Sequence, residues 1–389
     1  MTAGLSTTGA AASPTAGTAS AGGPLGRAQS WLDHEYFVSD EQLGFLRVLY
    51  CAFVLFVIGL PTFTWIAKTP QLLFDPPLLS PADLLSGWPS YGFLWTLSFA
   101  LVVCFLLLLL GFFVATVSVL TSVLLIVGSN LQFSFGKIDH HILLALGPLV
   151  MAGSGWGNRF TLARGRAAPN RSGVCLGLFA IVVGFAMFTA GFQKLVTGWL
   201  DPRTQASYGH LIQNFYGTSS GVLLAPFAMH VRSKFVWEGL DWATVGFELL
   251  FLAAVIRRTW FRAWIVLAVF FHTGTLLVLD IGFAVNFSAY LLFADWPVPR
   301  FRLSRRSAWL VAGCACVVAL SFWWQTTAPN QQVQMGSSLA GYVVNRAVGP
   351  ANVNGTTDEI LPDILALLAV AGFLIRRSRN PGPGVMVSA

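Results

Sequence analysis

Four titratable side chains stand within or at the ends of long apolar segments, where a charge is costly. They are Lys194, His140, His272 and Asp280. A charged group at the centre of a bilayer costs roughly 2.5–3.5 kcal/mol on insertion scales, so each is a functional candidate. A lysine partly removed from water loses its proton more easily and can act as a general base. These residue types therefore predict acid–base chemistry in a membrane, with Lys194, His140 and His272 as catalytic residues.

Each of these residues also has a structural interpretation. Lys194, near a helix end, could extend its ammonium to the lipid headgroups. His140 and its neighbour His141 could simply lie at the membrane interface. Asp280 could cap the helix that follows it. The interior position of His272 in its apolar segment favours a functional role.

Metal-binding patterns are missing from the sequence. HEXXH is absent, no two histidines are spaced i, i+4, and the adjacent His140 and His141 cannot both face inward. The cysteines include no CxxC pair, and four of the five lie in apolar runs, which favours small core residues over disulfides or metal ligands. We therefore expect no metal site.

Composition defines the elements that must position these side chains. Apolar residues make up 55% of the chain, charged residues only 10%, and the mean hydropathy is +0.69, whereas a soluble domain has about 25% charged residues. A helix of about 20 apolar residues crosses the hydrocarbon core, and ten segments suit that role. We predict an all-α polytopic transmembrane helical bundle with spans at 44–66, 91–110, 114–133, 140–157, 173–196, 242–256, 263–280, 282–295, 308–326 and 360–376.

Two span boundaries require a break within a continuous apolar run. Residues 91–135 are too long for one crossing and must divide near Gly111. Residues 263–295 must turn just after Asp280, which places Asn286 near the start of the next span.

Arginines cluster in four short segments between or after the predicted spans. With ten spans, all four segments fall on the same side of the membrane. Because positively charged loops stay in the cytoplasm, we predict a multi-pass plasma-membrane protein with both termini cytoplasmic. Topology then accounts for the net charge of +7, so membrane lipids are expected partners and nucleic acid is not. The arginines are Arg159, Arg164, Arg166, Arg171, Arg257, Arg258, Arg262, Arg300, Arg302, Arg305, Arg306, Arg376, Arg377 and Arg379.

The same topology brings titratable side chains from three helices toward the outer face. His140 opens span four, Lys194 ends span five, and His272 and Asp280 lie in the outer part of span seven. Side chains at one depth can shift one another's pKa values and set up a base near neutrality. Glu248, inside span six, is left open between an ion pair in the bundle and contact with lipid headgroups.

Four stretches, in order, resemble one family of membrane proteins. "AGFQKLVTGWLD" (190–201) is similar to a segment of the vitamin K-dependent gamma-carboxylases and their bacterial relatives with a horizontally transferred transmembrane (HTTM) domain. In that family a helix ends in Ala-Gly-x-x-Lys-Leu before a tryptophan. The stretches "LGFLRVLYCAFVLF", "KIDHHILLALGPLVMAG" and "FHTGTLLVLDIGFAVNFSAYLLF" resemble its first span with an early arginine, its span opening with histidine, and its later helix–break–helix. The resemblance covers roughly residues 40–300.

The resemblance implies specific roles. Lys194 stands where the carboxylase has the lysine base that deprotonates a reduced quinone, and His140 and His272 match two of its histidines. A quinone is thus the candidate cofactor. The large lumenal domain that binds the carboxylase's protein substrate has no counterpart here, and Asp139 alters the context of His140. We therefore do not expect gamma-carboxylation of proteins.

The predicted organisation has four parts and three long outward segments. Residues 1–30 lack bulky side chains and are predicted to be disordered. The parts are a tail at 1–30, an HTTM-like domain at 31–300, further transmembrane helices at 301–376 and a cytoplasmic tail at 377–389, and the outward segments are 67–90, 197–241 and 327–359.

Three functions compete on this sequence. The first is an enzyme acting on a quinone-like or lipid-soluble substrate, for which Lys194→Ala should abolish activity and leave the folded yield intact. The second is a non-enzymatic factor for maturation or export of a secreted peptide or partner protein. The third, a solute transporter, is disfavoured because we see no internal repeat.

Overall fold

The computed structural model of the protein describes residues 23–135, 141–163, 167–217, 224–298, 305–327 and 362–372. Regular structure within these ranges is helical, with one isolated bridge between Asp75 and Phe135 and no strand. The predicted all-α class is therefore confirmed for the described residues.

Thirteen α-helices follow one another along the described chain. They are α1 (Pro24–Tyr36), α2 (Asp40–Ala52), α3 (Tyr91–Leu110), α4 (Val114–Phe133), α5 (His141–Met151), α6 (Ser172–Val196), α7 (Ala206–Ile212), α8 (Ala225–Ala228), α9 (Lys234–Ala254), α10 (Arg258–Leu279), α11 (Ala284–Leu291), α12 (Arg305–Thr327) and α13 (Pro362–Gly372). π-helical turns extend α2 over Phe53–Ile58 and α7 over Gln213–Gly217, and 3₁₀ turns cover Thr64–Lys68, Gln71–Leu73 and Pro81–Leu84.

Five of the described helices are long and apolar enough to cross a membrane: α2 with its π-helical end, α3, α4, α6 and α10. The other five predicted spans coincide with helices that fall short of this. α5 has 11 residues and α11 has 8, α12 and α13 have short apolar stretches, and α9 contains four charged residues. An 11-residue helix is about 16 Å long, roughly half of the hydrocarbon core. By length and composition, five of the described helices qualify as spans, and the predicted count of ten does not follow from this criterion.

Both predicted breaks are present. α3 ends directly before Gly111, which has φ +81, and α4 begins three residues later. A Cβ at Gly111 would lie 2.6 Å from Thr161 Cγ2, so both the left-handed backbone and the available space require glycine. α10 ends before Asp280, and α11 begins after a short turn.

Two helices begin earlier than predicted. α1 starts at Pro24, so the end of the tail predicted to be disordered (1–30) is helical, with proline in a favoured first position. α9 starts inside the predicted outward segment 197–241. Its first turns are anchored because Asp241 Oδ1 accepts hydrogen bonds from the backbone N–H and the hydroxyl of Ser207, at 2.9 and 2.5 Å.

The described arginines of the predicted cytoplasmic loops gather at one end of the bundle, named the arginine end. There the Val38 carbonyl, between α1 and α2, accepts two hydrogen bonds of 3.0 Å. One comes from Asn170 Nδ2, just before α6, and the other from Ser172 Oγ, at the start of α6. The Arg258 amide at the start of α10 donates to Glu35 Oε1 of α1 at 2.8 Å. These arginines are Arg159, Arg171, Arg257, Arg258 and Arg262, whereas Arg164, Arg166, Arg300, Arg302, Arg376, Arg377 and Arg379 lie outside the described residues.

α1 packs along this end without crossing the bundle. The Tyr36 hydroxyl, at the end of α1, donates to the Val255 carbonyl beyond α9 at 2.7 Å. Burial, followed by the neighbouring Glu35 carboxylate, raises the pKa of Tyr36 above its usual range. The hydroxyl therefore stays protonated and keeps α1 attached.

Arg47, the early arginine of the first span, is fully buried. Its guanidinium donates to five backbone carbonyls, those of Leu108, Leu109, Trp156, Arg159 and Phe160. The first two lie in the last turn of α3, where carbonyls lack partners within the helix and favour a cation. Arg47 therefore closes the end of α3 and joins it to the loop after α5.

Tyr50 compensates for a proline inside a neighbouring helix. Pro148 lies within α5 and has no N–H to donate to the Leu144 carbonyl. The Tyr50 hydroxyl donates to this carbonyl at 3.0 Å. An unpaired backbone group in the bilayer costs several kcal/mol, so this contact makes the proline tolerable.

Glycines on one face of α6 allow α9 to pack closely against it. Gly184 and Gly191 are about two helical turns apart and therefore share a face. A Cβ on Gly191 would lie 2.8 Å from Glu248 Cβ and 3.0 Å from the Leu249 nitrogen, and one on Gly184 would lie 2.9 Å from Val255 Cγ2. The helices thus approach closely over two turns, as small residues permit in membrane bundles.

We expect Gly191→Ala to push α9 away from α6 and to lower stability by about 1–3 kcal/mol, as overpacking does. Gly246→Ala in α9 is the matched control, because a Cβ there has nothing within 4 Å and alanine favours a helix. Thermal unfolding in detergent should show a lower midpoint for Gly191→Ala and an equal or higher one for the control. Equal midpoints for the two variants would contradict this packing.

Candidate functional site

Lys194 and Glu248 form an ion pair inside the bundle. Lys194 lies in the last turn of α6 and Glu248 in the second half of α9, and Lys194 Nζ lies 2.6 Å from both carboxylate oxygens. The Glu248 side chain is 5% exposed and that of Lys194 22%. The open question about Glu248 is therefore answered by an ion pair in the bundle. The Lys194 ammonium binds a carboxylate and does not extend to the headgroups.

Two glycines position this ion pair. Gly191, one turn before Lys194, brings α9 close enough for Glu248 to reach the ammonium. Gly198, with φ +85, turns the chain after α6 so that the Trp199 ring lies 5.2 Å from Lys194 Nζ. The ammonium is held between a carboxylate and an aromatic ring face that attracts cations.

His272 and Tyr290 form a second buried pair. His272, in α10, is 2% exposed, and its Nε2 lies 2.9 Å from the hydroxyl of Tyr290 in α11. The His272 ring stacks on Phe283 with centroids 4.3 Å apart and lies nearly parallel to the Tyr290 ring at 5.9 Å. Aromatic rings thus shield a contact that can pass a proton between an imidazole and a phenol.

Tyr290 brings the two pairs close together. Its hydroxyl lies 3.9 Å from Met187 Sδ. Met187 lies on α6, two turns before Lys194. The two polar pairs therefore lie near each other among α6, α9, α10 and α11, and together they are called the network below.

Asn286 adds unused hydrogen-bonding capacity to this network. It is 1% exposed and lies one turn before Tyr290, beside its hydroxyl. The geometry falls short of a hydrogen bond, since neither polar amide atom has a partner of normal geometry among the described residues. A buried polar group of this kind costs about 1–3 kcal/mol, so a polar group of a bound molecule would be favoured here.

The structure brings together part of the predicted cluster. Lys194 and His272 each belong to one of the two polar pairs, with Glu248 and Tyr290 as their respective partners. His140, the third predicted catalytic residue, lies outside the described residues.

Asp280 is not the N-cap of the helix that follows it, so the capping interpretation does not apply at that position. Asp280 ends α10 with a left-handed backbone, φ 54. The helix that follows, α11, has Phe283 at its N-cap and no side-chain cap hydrogen bond. His141 is the first residue of α5 and is partly buried.

Tyr290 is the site residue that sequence reasoning missed. In "FSAYLLF" a tyrosine has the appearance of an ordinary core or lipid-facing residue, and nothing in its spacing indicates a contact with His272. Glu248 did carry a signal, because it and Lys194 are opposite charges within apolar helices.

A largely apolar cavity of about 680 Å³ lies beside the network. Its walls come from α2 with its π-helical end, α10, α11 and α13, and Tyr290 forms part of them. Ligand pockets typically measure about 300–1,000 Å³ and carry few polar groups. From Tyr290 the cavity extends to Arg262 and Asp295 at the arginine end, whereas the sequence predicted a site that opens outward.

Metal ligands do not cluster in the part of the chain that the structure describes, where no three His, Cys, Asp or Glu side chains are placed to hold an ion. No protein-family model, no curated protein and no solved structure matches this chain. The function of the network is therefore argued from its own geometry.

We expect Tyr290→Phe to remove the polar partner of His272 Nε2 at a cost of about 1 kcal/mol in stability. In protein labelled with ¹⁵N-histidine, the His272 Nε2 resonance, assigned with His272→Gln, should move. Tyr216→Phe is the control, because Tyr216 is 69% exposed. An unchanged His272 resonance in Tyr290→Phe would show that the two side chains are not bonded in the membrane.

Proposed function

We propose that the chain is a multi-pass plasma-membrane protein with about ten crossings and both termini in the cytoplasm. At the arginine end α3 and α9 end, whereas α2, α6 and α10 begin, and this alternation supports successive crossings. The short α5 and α11 would cross only part of the bilayer. The positive-inside rule assigns the arginine end to the cytoplasm.

Cysteine labelling tests this orientation. In a cysteine-free background, Arg203→Cys in the segment after α6 should react with a membrane-impermeant maleimide in intact cells. Arg159→Cys, at the arginine end, should react only after the cells are opened. The reverse pattern would invert the topology.

We propose further that the protein is an HTTM-type membrane enzyme acting on a quinone-like or other lipid-soluble substrate. The position of Tyr290 carries this proposal. Its ring lines the apolar cavity, and its hydroxyl contacts His272 Nε2 and lies near Met187 of α6, two turns before Lys194. A lipid-soluble molecule in the cavity would therefore lie next to a network that can accept and donate protons.

The Lys194–Glu248 pair offers two positions for one proton. Transfer across the 2.6 Å contact converts ammonium and carboxylate into a neutral amine and a neutral acid, a form that a low-dielectric interior penalises less. The neutral amine has the lone pair that a general base needs. It would take the proton of an acidic O–H, such as that of a reduced quinone. Tyr290, which lines the cavity, would donate a hydrogen bond to the resulting anion while its oxygen accepts one from His272 Nε2.

Mass spectrometry of the molecules retained by the gently purified protein tests this proposal. We expect a lipid-soluble molecule such as a benzoquinone or naphthoquinone, because the cavity is apolar and Tyr290 offers a polar contact. Val266→Phe narrows the cavity and should reduce retention. Val123→Phe, at a position 48% exposed on α4, should not. Recovery of bulk phospholipids alone would refute the proposed substrate class.

A second candidate function is a non-enzymatic factor that binds a secreted peptide or partner protein. It is favoured by four leucines between α2 and α3, all at least 85% exposed: Leu72, Leu78, Leu79 and Leu84. Clustered exposed apolar residues mark interaction surfaces. Leu78→Ser with Leu79→Ser should then release a co-purifying partner that a protein altered at Lys194 retains. Loss of the partner only on altering Lys194 would favour the enzyme.

A further inference from the structure

The cavity beside Tyr290 ends in a charged rim at the arginine end. Both terminal nitrogens of Arg262 donate to the Asp295 carboxylate, and Arg262 Nε donates to the Phe293 carbonyl at 2.9 Å. Arg258 Nη2 lies 3.6 Å from Asp295 Oδ1. Arg262 and Asp295 themselves line the cavity, so the charged group belongs to its opening.

Between this rim and Tyr290 the walls are formed by apolar and aromatic residues. One wall is the π-helical end of α2, which contributes Phe53, Phe56 and Val57. π-helical turns are frequent at functional sites. The opposite wall is α13, where Leu365 and Leu368 are 38% and 62% exposed, so the cavity borders the surface of the bundle. This shape suits a hydrocarbon chain that enters from the side.

The rim carries an excess of positive charge. Arg258 and Arg262 both contact Asp295, and the Arg258 amide donates to Glu35. The exposed Arg257 precedes them at the N-cap of α10, so the start of this helix carries three cations, and two described anions contact it. The start of a membrane-spanning helix lies at headgroup depth, where basic residues attract anionic lipids.

We propose that the cavity binds one hydrocarbon chain of an anionic phospholipid from the leaflet at the arginine end. The lipid phosphate lies at Arg258 and Arg262, and the chain runs between α2, α10 and α13 toward Tyr290. The polar rim, the apolar walls and the headgroup depth of Arg258 together favour a phospholipid over a soluble anion. This binding goes beyond the proposed enzyme activity, because it needs no chemistry at Lys194. The lipid chain takes the same cavity as the proposed lipid-soluble substrate, so the two compete for it.

Native mass spectrometry of the delipidated full-length protein provides the test. The probes are phosphatidylglycerol and phosphatidylcholine with identical acyl chains. We expect one phosphatidylglycerol to bind about tenfold more tightly than phosphatidylcholine, which corresponds to about 1.4 kcal/mol. Equal retention of the two lipids would refute the anionic headgroup site.

Variants of the rim separate lipid binding from a purely structural ion pair. Arg258→Gln should weaken phosphatidylglycerol binding about fivefold, and Asp295→Asn should strengthen it about fivefold because it removes an anion. Arg159→Gln is the matched control, since Arg159 lies at the same end, 3.3 Å from Glu41 and outside the cavity lining. An Asp295→Asn protein that loses stability and gains no lipid affinity would overturn the proposal.

A change of cavity shape tests the position of the chain. Ala369→Phe, on the α13 wall, should abolish tight binding of phosphatidylglycerol. Leu310→Phe, at a position 71% exposed on α12, should leave it unchanged. Wild-type binding by Ala369→Phe would place the lipid elsewhere. A Lys194→Met, Glu248→Leu protein should retain the lipid, so failure of the enzyme proposal and failure of this one give different results.

Discussion

Lys194→Met alone should destabilise the protein by roughly 3 kcal/mol or more. Combining it with Glu248→Leu should restore most of that stability but leave the protein inactive. Removing one partner of a buried ion pair leaves the other charge uncompensated, at a cost of about 3–5 kcal/mol. The Lys194 side chain is 22% exposed, so we expect the loss of stability to lie at the lower end of this range of about 3–5 kcal/mol. Replacing both partners with apolar groups of similar size is often neutral or stabilising.

This comparison separates a structural role from a catalytic one. If the pair only holds α6 against α9, the double variant should be stable and should still convert the lipid-soluble molecule that the native protein retains. If Lys194 is the base, the double variant should be stable and inactive. Lys234→Met is the control, since Lys234 is exposed at the start of α9. Stability is measured by thermal unfolding in detergent. An active double variant would refute the role of Lys194 as the general base.

The sequence-based expectation for Lys194→Ala was simpler and omitted Glu248. It predicted lost activity with an intact folded yield. Glu248 lies 54 residues away along the chain, and its contact with Lys194 exists only because α6 and α9 pack closely. A low yield of Lys194→Ala would therefore reflect the unpaired carboxylate and would carry no information on catalysis.

Arg47→Met should abolish the folded protein. Five carbonyls lose their donor together, and each buried polar group left unpaired costs about 1–3 kcal/mol. The sum reaches the order of 5 kcal/mol or more, comparable to the whole stability of a domain. Arg47→Lys should rescue little, because an ammonium is a compact charge that cannot span these acceptors as a planar guanidinium does.

Arg159→Met provides the control for Arg47. The Arg159 side chain is 58% exposed and forms one ion pair with Glu41 at 3.3 Å, which is worth about 0–1 kcal/mol at a surface. The yield of monodisperse protein after size exclusion should therefore be near wild type for Arg159→Met and negligible for Arg47→Met. A normal yield and melting curve for Arg47→Met would show that these carbonyls have other partners in the membrane.

Hydropathy predicted the helical class and the breaks near Gly111 and Asp280 because these features depend on local chemistry. A long apolar run must divide to fit a bilayer, and a glycine with a left-handed backbone is a good place to divide it. Span lengths were predicted less well. α11 starts late because of the turn after Asp280. α9 starts earlier than predicted, and Asp241 within it binds Ser207.

The candidate site was only partly visible in the sequence. Lys194 and His272 stood out because charged and polar groups are costly in lipid. Their pairing with Glu248 and Tyr290 could not be read, since it depends on the packing of α6, α9, α10 and α11. The cavity was invisible for the same reason, because its walls come from segments as distant as α2 and α13.

The sequence by itself thus determined that the chain is a helical protein of the membrane type, with few polar side chains in apolar surroundings. Composition and periodicity suffice for this, because the cost of burying a charge is a property of each residue. Tertiary structure alone decided which of those side chains meet. Ion pairs, buried hydrogen bonds and cavities depend on distances between helices, and at Gly191 and Gly184 those distances are set by the absence of a side chain.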